Sequence, residues 1–291
     1  MKVIVITGPT ATGKTKLSIE LAKKLNGEII NADSTQIFKG LDIATAKVTE
    51  EEKEGISHHL IDIKDINEAY TVFDYQRDCR NKIKEIQKKN KTPILVGGTG
   101  LYIKATLYDY KFKEEKKVNE FLELTNEEIY NKLKKLDSNI DIHINNRKRL
   151  VRALNYCLNN DILYSERTKT DKLLYDAIFI GLTTDRQTLY QRIDDRVDFM
   201  IKNGLLEEAK KVYETNIRTK AIITPIGYKE LFDYFDKNKT LDGSINLIKQ
   251  RSRNYAKKQY TWFNNQMDIK WFNTNYNDFN ETIDEIIDYI D

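Results

Sequence analysis

Two kinds of apolar pattern divide the chain. Continuous β-branched runs mark buried strands, while apolar residues spaced by three and four mark helices with one inward face. Lys2 to Thr7 is the first strand-like run, and Glu28 to Ser34 is the second, ending in Asp33 and Ser34. His58 to Ile63 reads as a short strand and Thr92 to Val96 as a buried one; Asp176 to Leu182 and Asp268 to Phe272 follow. Amphipathic stretches lie between them. Lys16 to Leu25 sets Leu17, Leu21 and Leu25 on one face, and Thr71 to Asn90 does the same with Val72, Tyr75, Cys79, Ile83 and Ile86. Further helices are predicted over Asp185 to Met200, Ser244 to Phe263 and Phe279 to Ile290, with shorter ones opening at Leu205 and Ile226. Strands alternating with such helices predict an α/β fold built on a parallel sheet. From about Lys111 to Lys172 the strand-like runs vanish. Helical stretches rich in Lys, Glu and Asn replace them, at Asn126 to Leu136 and Asn145 to Leu158. The expected architecture is a core of residues 1–110 and 174–291, with an all-helical lobe of residues 111–173 inserted into it.

The turn after the first strand changes the picture most. Gly8-Pro9-Thr10-Ala11-Thr12-Gly13-Lys14-Thr15 fits the phosphate-loop pattern G-x-x-x-x-G-K-[ST], with a strand before it and a helix after it. The glycines let successive N–H groups turn inward at a helix start, where the helix dipole favours an anion. Lys14 reaches the outer phosphate as a point charge, and the Thr15 hydroxyl is offered to a magnesium ion. A glycine turn that binds nothing is the bland alternative, and eight residues in register with both flanks correct count against it. A phosphate or diphosphate site on a P-loop core is therefore expected.

Three more stretches gather near that loop. Asp33 ends the second strand, and carboxyl ends of parallel strands line the ligand crevice, so it is aimed at the loop's substrate. A carboxylate there holds magnesium or takes a proton from a nucleophile, unless it serves only as a turn aspartate. Thr35 to Gly40 and Thr45 to Lys47 mix amide, aromatic and cation, which suits a nucleobase and a phosphate, or any loop. The fourth strand ends in Gly97-Gly98-Thr99-Gly100-Leu101-Tyr102 where a hydrolytic P-loop enzyme carries an aspartate. Close backbone approach to a ligand plus one hydroxyl is the reading there. Arg192 and Arg196, on one helix, either close over a phosphate or pair with Asp194, Asp195 and Asp198.

Composition sets the outer bounds. The chain has 291 residues, 40% of them hydrophobic, enough for a packed core. A net charge of +3 points to no partner by itself; the clustering of charge does. Asn146-Arg147-Lys148-Arg149-Leu150-Val151-Arg152 opens a lobe helix with four cations in seven residues, either a solvated face or an RNA-backbone contact. Lys249, Arg251, Arg253, Lys257 and Lys258 alternate with Tyr255, Tyr260, Trp262 and Phe263, which either grip nucleic acid or face the core. Cys79 and Cys157 stand far apart, as in a reduced cytoplasmic protein. His58 and His59 are adjacent and cannot converge on one metal, so they read as structural. The apolar start at Met1 runs into a glycine turn too soon for a signal or membrane segment, and no membrane partner is expected.

Taken in order, the phosphate loop, Asn31-Ala32-Asp33-Ser34-Thr35-Gln36, Gly97 to Tyr102 and Arg149-Leu150-Val151-Arg152-Ala153-Leu154 resemble the bacterial tRNA dimethylallyltransferase family. His58 to Asp62, Ile226 to Glu230 and Tyr255 to Phe263 match as well, so the resemblance covers nearly the whole chain. It implies that dimethylallyl diphosphate is gripped by the phosphate loop. Its prenyl group would move to the exocyclic amine of the adenosine 3′-adjacent to the anticodon, in tRNAs reading U-starting codons. Asp33 resembles the family's general base, and Thr99 its donor to the reacting diphosphate. Asp33, Ser34, Thr35 and Gln36, with Thr99, resemble its tRNA-contacting groups, as do Lys148 to Arg152 on the lobe. The expected partners are the tRNA anticodon stem-loop and dimethylallyl diphosphate, with Mg2+ as cofactor, in a cytoplasmic monomer. The sequence departs from the family at Ala44 (usually glycine), at Lys39 (usually arginine) and in a short lobe before Asn126.

Two rival readings share the loop. A small-molecule or nucleotide kinase would use Asp33 and the arginine helix, but gives no reason for the basic lobe. A tRNA-binding module with a fossil loop would need no Asp33.

Overall fold

The computed structural model describes residues 2–112, 121, 123–160, 163–166 and 172–290. Two compact units make up the chain, Met1–Asp109 with Leu173–Asp291, and Tyr110–Lys172. The first runs β1 (Val3–Thr7), α1 (Lys14–Lys24), β2 (Gly27–Asn31), α2 (Glu50–Lys53), β3 (His58–His59), α3 (Val72–Lys88), β4 (Thr92–Val96) and α4 (Gly100–Leu107). After the second unit, with α5 (Asn126–Leu136) and α6 (Arg147–Asn159), come β5 (Ala177–Thr183), α7 (Arg186–Lys202), α8 (Leu205–Glu214) and α9 (Lys220–Ile223). The chain closes with α10 (Tyr228–Phe235), α11 (Leu241–Gln266), β6 (Lys270–Asn273) and α12 (Phe279–Ile290).

The six strands form one sheet in the order β3-β2-β4-β1-β5-β6, and every pairing is parallel. Because β1 is covered on both faces, its whole run is apolar rather than alternating. Val3 and Val5 pack toward one core with residues of α3, α8, α10 and α11, whereas Ile4 and Ile6 pack toward another with Leu17, Leu21, Ile283 and Ile286. A parallel sheet brings all strand carboxyl ends to one edge, so the turns after β1, β2 and β4 become neighbours. This is an α/β P-loop core with a helical lobe.

Several elements differ from the sequence pattern for local reasons. Strand β2 stops at Asn31, because the Asn31 side chain accepts the Asp33 N–H at 2.9 Å and donates to the Asp33 carbonyl at 3.0 Å, turning the chain. Asp33 and Ser34 therefore lie in the turn beyond the strand. The run His58 to Ile63 keeps only two strand residues, since Leu60 and Asp62 adopt φ of 60° and 55°. Helix α4 was hidden in the sequence behind its glycines. Most of the segment before Asn126 lies outside the described residues.

Helices α5 and α6 pack on each other through Ile129, Leu133, Leu150, Ala153 and Leu154. A capping box at Thr125 and Glu128 fixes the start of α5.

Candidate active site

The phosphate loop takes the conformation its glycines allow. Gly8 has φ 129°, and Gly13, the residue before α1, has φ 93°. A Cβ on Gly8 would lie 2.4 Å from the Leu182 carbonyl oxygen, so glycine is required for space as well as for angle. Ala11 also sits at φ 67°, which places backbone strain of order 1 kcal/mol in the loop. Buried Pro9 has no N–H, and its carbonyl accepts from Thr12 Oγ1 at 2.9 Å and Lys14 Nζ at 2.6 Å. Burial and the neighbouring Arg196 charge push the Lys14 ammonium down to about 7, against a smaller opposing pull from Asp33.

Not every loop amide is free for an anion. The Thr10 N–H donates to Gln259 Oε1 at 3.1 Å, and the Thr10 hydroxyl accepts from Arg196 at 2.8 Å. The expectation that successive loop amides all turn inward is thus corrected at Thr10, whose backbone donor is spent on α11.

Asp33 stands across the cavity. Its Oδ1 accepts from the Thr35 N–H at 3.0 Å and Thr35 Oγ1 at 2.7 Å, which fixes the carboxylate plane. Thr99 Oγ1 accepts from the Ser34 N–H at 3.0 Å and lies 3.2 Å from Ser34 Oγ, holding the ends of β2 and β4 together. Gln36 spends its amide N–H groups on the carbonyls of Thr45 and Ala46, at 3.1 and 3.2 Å. Its amide braces the 41–47 loop. That loop is in turn gripped by the Glu208 carboxylate, which accepts from the N–H groups of Asp42, Ile43 and Ala44 and from the Tyr228 hydroxyl at 2.7 Å.

Arg192 and Arg196 of α7 turn toward the phosphate loop rather than toward the acids beside them. Arg192 Nε donates to the Ala11 carbonyl at 3.1 Å, and its guanidinium lies 3.8 Å from the centre of the Tyr276 ring. Burial lowers the Arg196 guanidinium below its ordinary value, and nearby Asp33 opposes that shift. The neighbouring acids have other partners: Asp194 takes Arg253 at 2.5 Å, and Asp198 takes Lys249 at 2.6 Å.

These groups line one cavity of about 550 Å3, with Lys14, Thr15, Asp33, Gln36, Arg192 and Arg196 on its wall beside Gly97 and Gly98. A smaller cavity of about 150 Å3, walled by Ile193, Val197, Met200, Pro225, Ile226 and Tyr255, shares Asp33, Thr45 and Arg196 with it. Asp33 thus borders two spaces. Thr15, Asp33 and Asp195 give the larger cavity hard oxygen donors. Among the described residues no group of three His, Cys, Asp or Glu side chains forms a metal cage. A sparse oxygen set suits an ion such as Mg2+, which keeps waters and takes phosphate oxygens as ligands.

The long helix α11 supplies one residue that the sequence reading missed, Gln259, and decides between the two readings of its aromatics and cations. Phe263 is fully buried, Tyr260 stacks on Trp271 with ring centres 4.9 Å apart, and a Cβ on Gly100 would sit 2.1 Å from the Trp262 ring. Phe263 therefore faces the core, and Tyr260 and Trp262 are half-buried against Trp271 and Gly100. Arg251 pairs with Glu230, and Arg253 and Lys249 with the α7 acids. Gln259 is the polar residue on that inward face, 5% exposed between Ala256 and Phe263. A glutamine interrupting an apolar helical stripe was the signal available.

In the helical unit, Lys148, Arg149 and Arg152 are exposed. Leu150 is fully buried in the lobe core and presents no side chain for RNA, and Val151 is half-buried against that core. Arg147 turns inward too, donating to the carbonyls of Leu124 at 2.7 Å and Phe121 at 3.1 Å.

Comparison with known proteins adds a family match. The IPP transferase family model matches residues 36–266. A protein of Anoxybacillus flavithermus described as "tRNA dimethylallyltransferase" is 48% identical, over 100% of this chain and 96% of its own length. A protein of the same description from Bacillus subtilis is 49% identical, over 93% and 90%. The crystal structure of a full-length tRNA isopentenylpyrophosphate transferase from Bacillus halodurans superposes with a TM-score of 0.78 at 41% identity, covering 99% of this chain and 95% of that one. A eukaryotic dimethylallyltransferase acting on tRNA gives a TM-score of 0.81 at 34% identity, covering 94% and 73%.

Proposed function

The chain belongs to the IPP transferase family, and from that membership we propose its complete reaction. It is an enzyme that transfers a dimethylallyl group to tRNA. The donor is dimethylallyl diphosphate, and the acceptor is the exocyclic amine of the adenosine 3′-adjacent to the anticodon, in tRNAs reading U-starting codons. A kinase reading is not favoured, because the relatives are described as tRNA dimethylallyltransferases and the family model is that of IPP transferases.

The observation that carries the reading is Asp33 on the wall of two adjoining cavities, opposite the phosphate loop. A transfer between two substrates needs such a junction. The diphosphate occupies the larger cavity, held by the remaining loop amides, Lys14, Arg192 and Arg196. The adenine amine approaches Asp33, after its base leaves the stack of the anticodon loop. Its nitrogen lone pair forms the new N–C bond, the C–O electron pair departs with diphosphate, and the amine proton passes to the Asp33 carboxylate. An aromatic amine is a weak nucleophile, so orientation matters, and it supplies on the order of 7–11 kcal/mol in well-aligned systems. Lys14 and the arginines stabilise charge where it develops on the leaving group. Thr15 would hold a Mg2+ ion, which would supply positive charge to offset part of that developing charge. Thr99 positions the Asp33–Ser34 turn through its hydroxyl and would act as a further donor to the diphosphate. Lys148, Arg149 and Arg152 bind the backbone of the anticodon arm.

The free cysteines Cys79 and Cys157 support a cytoplasmic enzyme, and a monomer supplies every residue named above. No helix among the described residues is long and apolar enough to cross a membrane. The test is direct. Purified protein incubated with dimethylallyl diphosphate and tRNA should add one dimethylallyl group to that adenosine, read by nucleoside mass analysis. ATP consumption without tRNA, and no prenylated nucleoside, would overturn the proposal.

A further inference from the structure

We propose that Gln259 is a positioning residue that sets the spacing between the phosphate loop and the loop carrying Thr99; the proposal rests on the reaction above. Its side chain joins turns that follow two different strands, β1 and β4. Oε1 accepts the Thr10 N–H at 3.1 Å, and Nε2 donates to the Gly98 carbonyl at 3.2 Å. The orientation of the amide is dictated by its partners, since a flipped amide would set N–H against N–H and oxygen against oxygen. A Cβ on Gly98 would lie 2.0 Å from Nε2, so Gly98 is what lets the amide approach.

The helix beneath cannot yield. Ala256 and Phe263, one turn to either side of Gln259, are fully buried, Tyr260 is stacked on Trp271, and Trp262 covers Gly100. Gln259 is therefore a rigid strut between the loop proposed to hold the leaving group and the loop whose Thr99 holds the Asp33–Ser34 turn. Strands β1 and β4 are paired as far as Ile6 and Val96, and Thr7 Oγ1 donates to the Gly97 carbonyl at 3.2 Å. Beyond those bonds the Gln259 side chain spans the two turns. Thr10 is clamped twice, its backbone by Gln259 and its hydroxyl by Arg196. A shift of about 1 Å between reacting groups costs about a hundredfold in rate.

Gln259→Glu and Gln259→Met keep the length of the side chain. Glutamate retains the acceptor for Thr10 and loses the donor for Gly98; methionine loses both. Prenylation kinetics, binding of inorganic pyrophosphate and tRNA binding are measured for each, alongside the unfolding midpoint. The expected result is a kcat at least tenfold lower in both variants, with methionine the worse. The KM for dimethylallyl diphosphate and the affinity for tRNA should stay within about threefold, the pattern of an interaction that matters only at the transition state. A kcat within twofold of wild type in either folded variant overturns the proposal. So does a rise in KM or a loss of pyrophosphate binding that accounts for the whole effect. Wild-type protein runs in parallel: if it transfers no prenyl group, the reaction assigned above fails instead.

Discussion

Lys14 should make the proposed diphosphate site sensitive to pH. Burial and Arg196 lower its ammonium to about 7 in the free protein. Diphosphate binds the ammonium and gains little from the neutral amine. Affinity owed to Lys14 is therefore nearly complete at about pH 6 and lost as pH rises through about 7. With a lysine titrating near 7, the charged fraction falls from about nine-tenths at pH 6 to about one-tenth at pH 8, so Kd should rise about tenfold across that interval. The substrate's own phosphate titration runs the other way, so the comparison is with Lys14→Arg, which stays charged throughout. Titration calorimetry with a non-reacting allylic diphosphate analogue gives the difference in slope. In buffers of different ionisation enthalpy at pH 7, wild type should take up about half a proton more than Lys14→Arg. Equal slopes and equal proton uptake in the two proteins would refute the reasoning.

Three other outcomes are expected. Asp33→Ala should lower kcat for prenylation by at least a hundredfold with tRNA affinity changed less than threefold; a kcat within threefold of wild type would remove its role as base. Arg149→Ala should weaken tRNA binding more at low salt than at high, reducing the slope of log K against log salt by about one, as measured by filter binding. Glu28 is 3% exposed; burial works to raise its carboxyl, but Lys91 at 2.9 Å, His59 at 2.7 Å and Lys89 together hold it at about 2. A carboxyl with its folded value depressed adds stability above pH 4.5 that is lost as pH falls toward 2, on the order of 3 kcal/mol. Glu28→Gln should be less stable than wild type at pH 7, and the gap should close by pH 2 in chemical denaturation.

How much of this was legible before folding differs from element to element. The phosphate loop was readable because its chemistry is local: two glycines, a lysine and a threonine act within eight consecutive residues, between a strand and a helix that announce themselves by period. The β1 run and the Leu17–Leu21 stripe likewise carry their own signal. Asp33 was placed near the loop by a general rule about strand ends, and its position one turn past β2 depended on Asn31 bonding its neighbour's backbone. The basic run at 146–152 showed less. The apolar character of Leu150 let it be expected to pack and the cations to face outward, but nothing in the seven letters told that Arg147 turns inward while Lys148, Arg149 and Arg152 stay exposed.

What sequence alone determined was the set of short-range instructions: which segments pair as strands, which turn can hold an anion, and which stretch has only helical periodicity. Tertiary structure decided which polar groups meet across long separations. Gln259 meets Thr10 and Gly98, Glu208 grips the 42–44 turn, and Arg196 chooses Thr10 over the acids on its own helix. Such choices rest on the packing of whole elements. Ala256, Phe263 and the stacked Tyr260 fix where α11 lies, and only then does a single amide have two loops within reach.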